Sequence, residues 1–260
     1  IKMALEARKH VFCEKPLSTS IDVCKEAEEI VEAHPDQHFM LGFMRRYDPS
    51  YQEAKERIEA GEIGRPVLFR AYSQDPMTGI EGALRFSPTS GGVFFDMAVH
   101  DIDLARWLLG VEPVLVHSIG GNYVEPGFAE FNDYDNASCL MQFADDTMGF
   151  FFAGRTAPHG YNVETEIIGT EGILRIASVP QRNHVEILDE HGVRRECSQD
   201  FLERFDQAYF NEIQIFVQGL IDGEDVGPNV YDGTASAVIA EACTQSIRKG
   251  EMIELRDLEI

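Results

Sequence analysis

From Pro66 onward the sequence is a succession of strand-length apolar runs joined by tight turns. That pattern confines the chain to a fold built on one large sheet. The runs are "PVLFRAYSQ", "VLVHSIGGNYV", "NASCLMQFA", "TMGFFFAGRT", "YNVETEIIGT", "GILRIA" and "HVEILDE". "ADDT" and "GTEG" are turn signals between neighbours. Strands linked as hairpins pair antiparallel. Helices over about 94–109, 200–221 and 231–248 accompany them, so this stretch is expected to be an α+β unit with one large, open, mainly antiparallel sheet.

The first 44 residues follow a different pattern. "IKMALEARKH" is the end of an amphipathic helix, with Ile1, Ala4 and Leu5 on one side and no cap before it. "HVFCEKP" is a short buried strand. A helix over about 20–34 follows, with Ser18, Thr19 and Ser20 as N-cap candidates and Cys24, Ala27, Ile30 and Val31 as its stripe. "HFMLGFM" (38–44) is an unbroken apolar run, as in a strand buried on both faces. The order strand–helix–strand implies a parallel βαβ unit. A further helix starts after Asp48, with Pro49 at its first position and Gly61 or Gly64 near its end. The fold class expected is α/β followed by α+β.

Charge and cysteine usage exclude several functions. A net charge of −23 repels nucleic acid and anionic lipid. The five cysteines are scattered and include no CxxC pair, against a disulfide framework or a structural zinc site and in keeping with a reducing cytoplasm. No apolar run approaches the roughly 18–20 residues of a membrane span. The N-terminus does not have the form of a signal peptide.

"GGVFFDMAVHDIDLARWL" (91–108) carries the densest chemistry. Read as one helix, it puts Asp96, His100 and Asp103 at i, i+4 and i+7 on one face. A carboxylate one turn before a histidine can orient it as a general acid/base. Spacing alone leaves that reading level with an acidic surface stripe. A metal is not expected, because no second His or Cys stands at ligand spacing. "CEKP" puts Lys15 at the carboxyl edge of a parallel sheet, where such sheets bind ligands, and "RRYDP" (45–49) follows the next strand to the same edge. Asp75 in "SQDP", Tyr161 and Tyr209 have ordinary readings as a turn residue, sheet surface and helix core. No GxGxxG occurs in the 260 residues.

Taken in order, "HVFCEKPLS", "GFMRRYDPSY", "SGGVFFDMAVHDIDLARWL", "GYNVETEIIGTEG" and "AYFNEIQIF" resemble the Gfo/Idh/MocA oxidoreductases, and within them the inositol 2-dehydrogenases. The resemblance runs through essentially the whole chain. It implies that residues 1–46 are the C-terminal remnant of a dinucleotide-binding Rossmann domain and 47–260 a substrate-binding and oligomerisation domain. It implies NAD-dependent oxidation of a ring hydroxyl of a small cyclic polyol or sugar, myo-inositol to 2-keto-inositol first among these. NADP stays open, because the acidic residue that separates the two cofactors has no counterpart here.

Carried over residue by residue, the resemblance makes Lys15, Asp96 and His100 the catalytic group. His100 takes the hydroxyl proton, Lys15 hydrogen-bonds the reacting oxygen, and Asp96 tunes His100 and binds a neighbouring hydroxyl. Asp75, Asp103, Tyr161 and Tyr209 become substrate contacts; Glu14, Lys15, Pro16, Arg45 and Tyr47 face the cofactor; Asp101 is a bystander. The family's open sheet commonly packs on a second copy, so a dimer or tetramer is expected.

Two features depart from the pattern. Gln74 stands where inositol dehydrogenases often have Arg, and the insert "MTGIEGALRFSPT" has a composition that does not match the pattern. The family's strand, GxGxxG loop and ribose-binding acidic residue, which lie upstream of "EKP", are also missing, so this stretch of sequence is expected to bind NAD weakly and to be inactive without such a segment. The competing readings are another sugar or polyol dehydrogenase of the same family, and a non-catalytic oligomerisation or ligand-sensing module.

Overall fold

The computed structural model describes residues 1–177, 180–224 and 226–257. Helix α1 (Lys2–Glu6), strand β1 (Val11–Glu14), helix α2 (Ile21–Glu32) and strand β2 (Phe39–Gly42) form the expected unit, with β1 and β2 paired in parallel. The apolar run at 38–44 gives only four strand residues. It then tightens into a 3₁₀ turn, Met44–Tyr47, which swings Arg45 and Tyr47 inward. Helix α3 (Pro49–Glu59) opens as its sequence predicts: the Asp48 carboxylate accepts the Ser50 N–H at 3.0 Å.

Strand β3 (Pro66–Pro76) leads into helix α4 (Ile80–Ser90), drawn from the stretch "MTGIEGALRFSPT" and Ser90. Next come helix α5 (Val99–Leu109), strands β4 (Pro113–Gly121), β5 (Asn136–Phe143), β6 (Met148–Ala157), β7 (Asn162–Gly169) and β8 (Ile173–Ile176), then β9 (Gln181–Asp189) and β10 (Gly192–Cys197). Helices α6 (Phe201–Asp222) and α7 (Val230–Lys249) and the short strand β11 (Ile253–Glu254) complete the order.

The large sheet has the order β11-β4-β5-β6-β3-β7-β8. It is antiparallel except at its centre, where β3 and β6 run parallel. That pair matters most for the site, because the carboxyl ends of β3 and β6 then lie side by side. The run "HVEILDE" does not join the sheet. It pairs with β10, a strand with no sequence signal of its own, as a separate hairpin.

Register alternates the two faces of the sheet. One face, with Val116, Cys139, Met141, Phe69, Phe151, Ala71 and Ile167, is buried under the helices. On the other face, rows such as Ile119–Ser138–Phe152–Tyr72 are less covered, and Ile119 and Leu140 are exposed.

Helix α7 ties the two parts together. Its Gly233 passes so close to the first sheet that a Cβ there would stand 2.9 Å from the side chains of Leu17 and Leu41. Leu41, Phe43 and Val230 share a small core with Leu5, Val11 and Phe39. The carboxyl end of β1 thereby comes to the carboxyl ends of β3 and β6.

Candidate active site

At that junction lies a cavity of about 510 Å³, lined by Glu14, Lys15, Met44, Arg45, Ser73, Asp75, Asp96, Met97, His100, Tyr161, Phe201, Leu202 and Tyr209. Each element delivers its residue by its own geometry. Strand β1 ends at Glu14 and aims Lys15 across the gap. The 3₁₀ turn after β2 brings Arg45. Strand β3 carries Ser73 and Asp75 on alternate positions.

Asp96 and His100 come from a helix that is not uniform. Residues Phe94–Ala98 form one π-helical turn before α5 begins at Val99. Such single widened turns recur at functional sites. This one changes the expected relation between Asp96 and His100. With the turn widened, they no longer stack as i and i+4 of an α-helix, and Asp96 does not hydrogen-bond His100. Arg155 on β6 holds its Oδ2 at 3.0 Å instead, and Lys15 Nζ donates to its backbone carbonyl at 2.8 Å.

His100 is buried, meets Phe43 edge-on at 6.1 Å, and its Nδ1 has no hydrogen-bond partner. Burial, aided by the positive charges of Lys15 and Arg45, pushes its pKa well below the usual histidine value, so the ring is neutral at physiological pH. Burial lowers Lys15 as well, against the pull of Asp96. Asp75 is pushed up to about 6, first by burial and then by the neighbouring charge of Asp96. Tyr161 is raised by burial despite Arg45 beside it, and Tyr209 is pushed up to about 12, so both phenols are hydrogen-bond donors rather than bases. Behind Tyr209, Glu212 is buried with an unpartnered Oε2, and burial and Glu14 push it up to about 8.

The structure thus gathers Glu14, Lys15, Arg45, Asp75, Asp96, His100, Tyr161 and Tyr209 around one space. It does not gather Asp103, Tyr47 or Pro16. Asp103 is buried one turn along α5, where both its oxygens accept from the Arg46 guanidinium, Oδ2 from Nε at 2.9 Å, and it lies outside the cavity lining. Tyr47 turns away and donates its hydroxyl to the Gly227 carbonyl, bracing the loop before α7. Pro16 follows a cis peptide and lies outside the lining.

Asp101 is no bystander. It is fully buried, holds Arg45 Nη1 at 2.7 Å and accepts the Ser73 hydroxyl at 2.6 Å, so it fixes the arginine that forms one wall.

Two residues escaped the sequence reading although a signal existed. In "FFFAGRT" the alternation puts Arg155 on the face of Phe151 and Ala153, and a charge on a core face needs a buried partner. Ser73 follows Phe69 and Ala71 on the inner face of β3 in the same way.

Comparison with known proteins places the fold. The sequence profile of the GFO/IDH/MocA C-terminal domain matches residues 51–175, and that of an oxidoreductase family with an NAD-binding Rossmann fold matches residues 1–43. The scyllo-inositol 2-dehydrogenase (NAD(+)) of Bacillus subtilis is 36% identical over 254 residues, covering 97% of this chain and 72% of that protein. The myo-inositol 2-dehydrogenase of Thermotoga maritima is 32% identical over 97% of this chain and 75% of its own length. The crystal structure of scyllo-inositol dehydrogenase from Lactobacillus casei with bound NAD(H) and scyllo-inositol superposes with a TM-score of 0.94 at 41% identity, over 98% of this chain and 76% of that one. By profile, by sequence and by fold, the chain belongs to the GFO/IDH/MocA family of oxidoreductases.

Proposed function

We propose that this chain supplies the substrate half of an NAD-dependent dehydrogenase that oxidises a ring hydroxyl of a cyclic polyol, an inositol above all. The observation that carries this reading is a neutral, buried His100 beside a lysine, in a cavity whose polar lining includes Glu14, Asp75, Asp96, Tyr161 and Tyr209. A polyol has a hydroxyl on every side, and each needs a partner once water is stripped away. Asp75 and Asp96 accept hydroxyl protons; Tyr161 and Tyr209 donate. Lys15 donates to the reacting oxygen and stabilises the negative charge that grows there. His100 takes the proton of that oxygen.

When bound, NAD supplies the acceptor for the hydride leaving the same carbon. Its nicotinamide end would be held beside Glu14, which ends β1, and Lys15, which follows it, with the half-exposed Phe201 and Leu202 offering apolar surface. Glu14, Lys15 and Arg45 are the residues that would face it. The 260 residues hold no glycine-rich loop for the pyrophosphate, and we infer that they bind NAD only weakly by themselves. Turnover is therefore read at millimolar NAD, or in a fusion to the strand–loop–helix segment of a relative. Calorimetry that gave micromolar NAD affinity for the 260 residues alone would overturn the inference of weak binding.

The reading is tested by a panel of inositols and pyranoses. Saturation-transfer NMR checks binding, and NADH absorbance checks turnover. No binding and no turnover for any of them would sink it. A pH dependence accompanies it. Asp75 is protonated below about 6 and ionised above, and only the carboxylate accepts hydroxyls at full strength. Polyol affinity should rise as pH passes upward through about 6. Asp75→Asn should flatten that rise and weaken binding about tenfold. An unchanged pH profile in the variant would count against a role for Asp75.

The less covered sheet face has its own consequence. Ile119 and Leu140 are exposed on it, in rows with Phe152 and Tyr72 and with Phe150, and Ile173 is exposed in the row of Ile168 and Leu68. Exposed apolar side chains on an open sheet face, beside the Arg70–Glu166 pair, mark an association surface, and we infer that a second copy covers it. Light scattering should report a dimer or larger assembly, and Leu140→Arg should shift it to monomer. A wild type that is monomeric at high concentration excludes this surface as an interface.

A further inference from the structure

Arg155 makes more contacts than its place in the core requires. It is 1% exposed, and its guanidinium lies over the Phe128 ring at 4.7 Å. Nη1 donates to Asp133 Oδ2 at 2.8 Å and to the Tyr134 carbonyl at 2.9 Å. Asp133 is itself fixed: its Oδ1 accepts the N–H groups of Val93 and Tyr134, and its Oδ2 accepts the Ser87 hydroxyl, each at 2.8 Å. The Asp133 carboxylate is by itself a sufficient counter-ion for the buried cation. The second arm, Nη2, leaves the core and reaches Asp96 Oδ2 at 3.0 Å in the wall of the cavity.

We propose that Arg155 is a positioning residue. Anchored at one end on Asp133, it sets the direction of the Asp96 carboxylate, and so decides which hydroxyl next to the reacting one the cavity accepts. The inference rests on the polyol reading of the cavity. It gives α4 a role as well. Ser87 lies in that helix, and the helix ends at Gly91 with φ +79°, where a Cβ would stand 2.7 Å from Thr19 Cγ2 and 2.9 Å from Phe95 Cβ. Val93, whose N–H Asp133 holds, immediately precedes the widened turn that carries Asp96. The stretch 77–90 is thereby joined to the substrate wall through Ser87, Asp133 and Arg155, without touching substrate.

The test compares wild type with three variants. Arg155→Lys keeps the charge but not the two-armed fork. The double variant Arg155→Met with Asp133→Asn removes the buried charges together, while the Asn oxygen still serves Val93 and Tyr134. Asp133→Asn alone keeps the arginine but loosens its anchor, and it remains informative if the double variant does not fold.

Crystal structures of the variants should show the Asp96 carboxylate turned from its wild-type direction. Across inositol stereoisomers, KM for the preferred isomer should rise about tenfold or more and the preference among isomers should shrink. The kcat should fall much less, because Lys15 and His100 are untouched. Arg155→Lys should recover part of the preference. A folded variant in which Asp96 keeps its direction and the isomer ranking is unchanged overturns the proposal. If Asp96 turns in the variants but the wild type binds no polyol, the positioning role is supported and the polyol reading falls.

Discussion

Replacing His100 with Asn should lower turnover about 10³-fold, and replacing Lys15 with Met should lower it by about 10²–10³, with little loss of fold in either case. The two groups act on one oxygen, so their losses should not add, and the double variant should be scarcely worse than His100→Asn. What marks these residues is the combination of lost rate with kept stability. His100 is a polar group already desolvated and only partly satisfied, and Asn of smaller volume leaves its neighbours Phe43 and Lys15 in place. Lys15 is a cation whose burial depresses its pKa, a state that costs folding energy, so Met there should melt at or above the wild-type temperature. A group kept for packing would behave in the opposite way. Rates at millimolar NAD, melting curves and inositol binding by NMR check all three parts. Near-normal rates in either single variant would remove the proposed proton-handling role.

Why these residues were legible in the sequence, and others not, has a physical basis. Lys15 follows a strand of a parallel pair, and chain position alone brings such a residue to the carboxyl edge where α/β sheets bind ligands. Spacing left His100 level with a surface stripe, and Asp75 and Tyr161 stood out only through the family resemblance. The parallel β3–β6 pair was not legible, because turn signals report only which strands follow one another. Without that pair, nothing in the sequence places Arg155 beside Asp96.

The helix misled for a different reason. A spacing argument assumes one polar face, but α5 is buried nearly all round, with Val99, His100, Asp101, Ile102, Asp103, Leu104 and Ala105 all inside. On such a helix every charge must find its own counter-ion from another segment. The partners Arg45 and Arg46 are adjacent in sequence and point to Asp101 and Asp103 respectively. The widened turn at Phe94–Ala98 is likewise invisible to a count of residues per turn.

Asp101 is where this misreading has its largest measurable consequence. Asp101→Ala should destabilise the fold by about 3–5 kcal/mol, because it leaves the Arg45 guanidinium buried without its charge partner. For a domain of this size that is a fall in melting temperature on the order of 10 °C. Arg45 is 3% exposed, its Nε already lacks a partner, and the neutral groups Ser73, Tyr161 and the ring of Phe205 that would remain beside it carry no counter-charge. The neighbouring pair makes the control. Asp103→Ala leaves Arg46 with Asp232 at 3.0 Å and with more access to water, so its cost should be clearly smaller, about 1–2 kcal/mol. The order of the two losses is the sharper test, since both residues are acidic, buried and two positions apart on one helix. Urea or thermal unfolding measures it. A melting temperature for Asp101→Ala within about 2 °C of wild type, near 1 kcal/mol or less at this size, would restore Asp101 to a bystander. A loss for Asp103→Ala equal to that for Asp101→Ala would show that Asp232 does not stand in for it. If both losses come out as expected, Asp101→Ala should also weaken polyol binding, because the arginine it releases forms part of the cavity wall.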